Sequence, residues 1–192
     1  MSAQSDIMPD RQEVLASLYG AFRLAIFDER GLNYFNLSIE GFWRSFAALF
    51  LMIPIYGLLM IQGLLPTGDG LSIWAVLVGV LSEGVGWAIF ALVTLVATDL
   101  LKLGHRYTPL IVAVNWSAVI ASSALLLVWS IALMLPEGPA QLIVFVITVG
   151  VIVYQWFVMR TALQTTSGIA LAFVLFSILL SVMLQRITDR IF

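Results

Sequence analysis

The stretch Leu71–Leu101, LSIWAVLVGVLSEGVGWAIFALVTLVATDLL, decides the fold: it is a nearly uninterrupted apolar run whose middle holds a single carboxylate, Glu83, with Asp99 near its end. An α-helix needs about 20 apolar residues to cross a bilayer, and this run exceeds that. A carboxylate at such depth is costly in lipid and needs protein around it. The stretch therefore predicts a spanning helix and demands companions that shield Glu83.

The rest of the chain supplies them. Of the 192 residues, 61% are hydrophobic and 10% charged, with a mean hydropathy of +1.05, whereas soluble domains carry about a quarter charged residues. Four more apolar runs predict spans at about Phe42–Leu65, Tyr107–Leu135, Ala140–Leu163 and from just after Gly168 to near Arg186. Pro54 inside the first, one turn before Gly57, predicts a local bend. Pro66–Gly70 and Pro136–Pro139 read as tight turns, and Thr98–Arg106 as a loop. The fold class expected is an all-α integral membrane protein: a five-helix transmembrane bundle over residues 41–192, preceded by a cytoplasmic segment, 1–40.

Within that segment Leu15, Leu18, Phe22 and Ile26 recur at helical spacing over Arg11–Phe27, too short a stretch to span. They predict an amphipathic interfacial helix lying on the membrane surface, or equally one packed on the bundle itself. Arg11, Arg23 and Arg30 are offset by Asp10, Glu13, Asp28 and Glu29, so anionic lipid is a weak anchor for it. Asp28–Gly31 breaks the helix, and Asn36 or Ser38 caps the next. Tyr34, Phe35, Phe42 and Trp43 beside Arg44 have the composition of an interfacial belt. The polar start, Met1–Asp6, predicts no cleavable signal peptide, so the first span is the insertion signal.

Orientation follows from the basic residues. Arg11, Arg23, Arg30, Arg44, Lys102, Arg106 and Arg160, seven of the nine Lys and Arg, fall on the N-terminal side, and only Arg186 and Arg190 on the other. The positive-inside rule then predicts a bacterial inner-membrane protein with its N-terminus cytoplasmic and its C-terminus opposite.

Each span after the first carries a polar stripe. At 100° per residue Ala75, Gly79, Ser82, Glu83, Gly86 and Ala97 share about one third of the second helix. Asn115, Ala118 and Ser122 share a face of the third, Gln141, Thr148 and Gln155 of the fourth, and Ser177, Ser181 and Gln185 of the fifth. The stripes predict a compact bundle with a hydrogen-bonded interior and a candidate intramembrane polar site at Glu83, Asn115, Gln155, Ser82 and Ser122. A conducting path centred on Glu83 needs intermediate groups such as Thr94, because Asn115 and Gln155 are expected at shallower depth. The alternative is a purely structural Glu83 bonded to a neighbouring helix. Arg160 either snorkels or pairs with Asp99, and Lys102, His105 and Arg106 form a candidate cytoplasmic contact.

Several classes of chemistry find no support. Cysteine is absent and His105 is the single histidine, which excludes disulfides and Cys/His metal clusters. No zinc-protease motif, suitable Ser/His pair or pair of membrane aspartates is present, so no catalysis and no cofactor is expected. Nucleic acid is an unsuitable partner without a basic cluster; the partners expected are membrane lipid and other membrane proteins or a second copy.

The layout of a hydrophilic N-terminal segment and five closely spaced spans, with YTPLIVAVNWS at Tyr107–Ser117 opening the third, resembles the Yip family of small multispanning membrane proteins. The resemblance extends over about residues 40–190, and the acidic, aromatic Asp28–Trp43 segment has no match in it. It implies a membrane-organising or partner-binding protein and carries over no catalytic residue. The function expected is thus a non-enzymatic, partner-binding or accessory subunit, with a small proton-coupled transporter or channel using Glu83 as the alternative.

Overall fold

The computed structural model describes residues 8–64 and 73–191, and every regular element among them is helical. α1 spans Arg11–Ala25, and the Asp10 side chain accepts from the Glu13 amide at 2.6 Å to cap it. Glu13 in its first turn and Arg23 in its last both complement the helix dipole. The helix stops where Phe27 takes a left-handed φ of 60°. Asp28 then accepts from the Arg30 amide and opens a 3-10 turn, Glu29–Tyr34.

Of the two residues offered as cap for the next helix, Ser38 is the N-cap, and Asn36 supports it from outside the helix. Ser38 Oγ accepts from the Gly41 amide at 3.1 Å, while Asn36 Oδ1 accepts from the Ser38 amide and hydroxyl. The first long apolar segment is divided into α2, Ile39–Ser45, and α3, Ala47–Leu64. Its interruption falls at Phe46, and the helix runs on through Pro54. α4 spans Ile73–Leu100, α5 Tyr107–Ala132, α6 Glu137–Leu163 and α7 Ser167–Ile191. Asp99 and Thr98, expected in a loop, belong to the last turn of α4, and α5 stops three residues before Leu135. Of the expected turn at Pro136–Pro139, only Pro136 is outside the helix, because proline fits a first helical turn where no amide partner is needed. Residues 65–72, with the expected turn at Pro66–Gly70, lie outside the described residues.

Five of these helical segments are long and apolar enough to cross a membrane: Ile39–Gln62, Val76–Leu100, Gly104–Ala132, Glu137–Leu163 and Ser167–Ile187. α5 is the hub, with 56% of its most apolar window buried against 6% for α4. Packing runs from α5 to α3, α3 to α4, α4 to α7, α7 to α6 and α6 back to α5. The long helices thus close a ring in the order α3, α4, α7, α6, α5.

α1 and α2 gather at one end of that ring. Ser17, Ala21 and Leu24 of α1 are buried, and α1 packs on α5 and α6. The Tyr154 hydroxyl donates to the Ala21 carbonyl at 2.8 Å, and Phe27 meets Phe157 edge to face at 5.1 Å. The opposite face of α1 leaves Leu15, Phe22 and Ile26 exposed. The face of α1 that packs on the bundle is thus carried by Ser17, Ala21 and Leu24, and not by Leu15, Phe22 and Ile26.

Candidate functional site

Inside the ring is a cavity of about 1100 Å³. All five long helices line it, and the polar stripes are what they present. From α4 come Gly79, Ser82, Glu83 and Gly86; from α6, Thr148 and Gln155; from α7, Ser177, Ser181 and Gln185; from α5, Asn115 and Ala118. The small residues matter locally: a Cβ on Gly79 would stand 2.9 Å from the Met60 sulfur, and one on Gly86 2.8 Å from a Leu184 methyl. α4 therefore approaches α3 and α7 closely on either side of Glu83.

Depth along each helix follows from a rise of about 1.5 Å per residue. Counted from the α1 end of the ring, Asn115 and Gln155 both lie roughly 12 Å down, Ser177 about 15 Å, Ser181 and Thr148 about 21 Å, and Glu83 about 25 Å. Asn115 and Gln155 form one polar layer and Glu83 another. The hydroxyls at intermediate depth come from α6 and α7.

Thr94, the expected intermediate, has no such place. It is fully buried, and its hydroxyl donates to the Phe90 and Ala91 carbonyls of its own helix. Ser122 is also absent from the cavity wall; its hydroxyl donates to Ala118 and Val119 in the preceding turn. Serine and threonine hydroxyls in a helix readily satisfy themselves in this way. Gln141 and Ala97 of the expected stripes lie off the cavity too. Those stripe residues named above as lining the cavity border the space between the helices.

Asn115 has a firm local partner that the sequence reading passed over. Its Nδ2 donates to Ser45 Oγ at 2.8 Å, with Asn115 4% exposed and Ser45 fully buried. This bond ties the end of α2 to α5 beside the cavity. Toward the far end of the ring, Gln62 Nε2 donates to Ser130 Oγ at 2.7 Å and joins α3 to α5.

Glu83 is the one charged side chain of the wall among the described residues, and no Lys, Arg or His faces it there. Its neighbours are aromatic. Trp87 and Phe90 follow it by four and seven residues, hence on the same helix face, and both line the cavity. From α3, Tyr56 lines the same cavity as Glu83 and Trp87. For Trp87 and Phe90 the spacing from Glu83 was the signal available in the sequence; Tyr56, on another helix, had none.

The loop residues Lys102 and His105 are exposed and away from the cavity. Arg106 donates to the Gln164 side chain, joining the α4–α5 and α6–α7 connections. Arg160 pairs with Glu29 at 4.0 Å and lies over the Trp156 ring, in place of the expected Asp99 pairing, because the 3-10 turn brings Glu29 to the end of α6. Glu13 accepts from Asn36 Nδ2 and Arg44 Nη1, each at 3.0 Å, and holds α1 to the start of α2. Nearby, Arg23 donates to Asp28 through two nitrogens, with Nε at 2.8 Å. That bond, followed by the Arg30 amide, holds the Asp28 carboxyl below its ordinary range. No group of three or more metal-ligating residues occurs among the described residues. Comparison with known proteins returns no match to any family model, curated protein or solved structure.

Proposed function

We propose that this protein spans a membrane and binds a small solute in the cavity between its helices, as a carrier or channel does. The observation that carries the reading is the convergence of polar stripes from four helices on one cavity that contains a lone carboxylate. Polar groups in a membrane interior are expensive and cluster where a solute or ion passes. A wall with hydroxyls and amides at graded depth offers successive hydrogen-bonding positions along the ring axis. Glu83 is the charge-bearing residue of the pathway, with Asn115 and Gln155 forming its second polar layer.

In the same reading the protein is a bacterial inner-membrane protein with the α1 end cytoplasmic, because seven of nine basic residues gather there. The exposed Leu15, Phe22 and Ile26 of α1 then rest in the interface. The test is to purify the protein in native nanodiscs, identify retained small molecules by mass spectrometry, and repeat with Ser177→Phe, which places a ring in the cavity. A stoichiometric small molecule retained by the wild type and lost in the variant is the expected result. Identical retention in both overturns the reading.

A second reading, an accessory subunit that binds partner proteins, is the one the Yip resemblance implies. It is favoured by the exposed apolar face of α1 together with exposed Ile39 and Trp43. A protein partner co-purifying at fixed stoichiometry and released by Phe22→Asp would support it.

A further inference from the structure

We infer that the cavity is selective for a lipophilic cation, an organic ammonium or phosphonium group carrying apolar substituents. The inference names the solute class for the binding reading above and rests on that reading. It is carried by the pairing of charge and rings on one helix face. Glu83 supplies the single formal charge of the described wall. Trp87 and Phe90 stand one and two turns along the same face, and Tyr56 faces them from α3.

A carboxylate beside aromatic faces suits an organic cation in two ways. The charge is met at one point, and the rings attract the diffuse positive surface through their quadrupoles. The surrounding polar side chains, Ser82, Ser181 and Gln185, carry no charge. Facing Glu83 from every packed helix there is one other titratable group, Tyr56, and no base among the described residues. An anionic solute would therefore meet repulsion without any compensating Lys or Arg. The remaining wall is largely aliphatic, with Val78, Leu125, Val151 and Ile178 among its residues, which fits apolar substituents. A volume of about 1100 Å³ exceeds a single metal ion's needs and falls at the top of the range for drug-sized ligands.

The experiment measures equilibrium dialysis of radiolabelled tetraphenylphosphonium into nanodiscs containing the full protein, with empty nanodiscs as blank. Neutral triphenylphosphine oxide is the size-related comparison. The wild type is expected to bind the cation saturably at one site per chain. Glu83→Gln is expected to lose about tenfold or more in affinity for the cation and little for the oxide, one factor of ten being a modest charge interaction. Glu83→Asp, which keeps the charge, should retain the preference and guards against a folding defect in the Gln variant. Equal binding of cation and oxide by the wild type overturns the cation assignment. If Ser177→Phe abolishes that charge-indifferent binding, the cavity reading survives its loss. Cation affinity unchanged by Glu83→Gln also overturns the assignment, and an absence of saturable binding by either probe overturns it together with the cavity reading.

Discussion

At the scale of single residues, the buried Asn115–Ser45 bond is the clearest structural commitment. Removing the acceptor with Ser45→Ala leaves the Asn115 amide unsatisfied, and burial without a partner costs about 1–3 kcal/mol. In a membrane bundle, where measured interhelical bonds average about 0.6 kcal/mol, the lower part of that range applies. Thermal unfolding of the detergent-solubilised variant should show the loss, and Asn115→Leu combined with Ser45→Ala should recover part of it. The Arg23–Asp28 pair gives a pH dependence with a definite sign. Because Asp28 titrates below its ordinary 3.8 when folded, its contribution is present above that value and disappears as pH falls through the lower, folded one. The difference in thermal midpoint between wild type and Asp28→Asn should therefore be greatest near neutrality and shrink as pH drops below about 4. Ser38 was legible as a cap from residue type alone. The Asn115 partner was not, since Ser45 lies 70 positions away in the chain.

At the scale of elements, α1 and the turn that follows it touch through two glycines. A Cβ on Gly20 would stand 2.6 Å from the Gly31 carbonyl oxygen, and one on Gly31 2.5 Å from that of Gly20. Both obstacles are backbone, so neither can swing aside. Gly20→Ala should displace the turn and cost about 1–3 kcal/mol, as overpacking does; faster limited proteolysis within residues 26–35 is the readout. Helix number and type were legible because each apolar run is long. Their edges were less so: the interruption at Phe46 has no Gly or Pro to announce it, while Pro54 sits inside α3 as the apolar run implied. α6 begins at Glu137, three residues before the start expected at Ala140, since a proline in a first turn sacrifices no hydrogen bond.

At the scale of the whole molecule, the ring order is open to direct test because the chain contains no cysteine. The pairs Gly86→Cys with Leu184→Cys, and Gly79→Cys with Met60→Cys, should crosslink with a short bifunctional thiol reagent, linking α4 to α7 and to α3. Failure of both pairs in folded protein would refute the ring. The orientation argued from the basic residues predicts that a reporter fused to the C-terminus reads out on the non-cytoplasmic side; a cytoplasmic signal would contradict the combination of that orientation with an odd number of spans.

Legible in the amino-acid sequence were the long apolar helices, the five of spanning length among the described residues, and the face that turns Glu83 toward protein. Hydropathy and the helical period are local properties, and they suffice for those conclusions. Only the packing of the helices shows which are neighbours, that the stripes border a cavity, and that Tyr56, Trp87 and Phe90 join Glu83 in its wall. A helical period specifies which residues share a face; it does not specify the helix that face will meet, and close approach at Gly79 and Gly86 is set by packing across the ring.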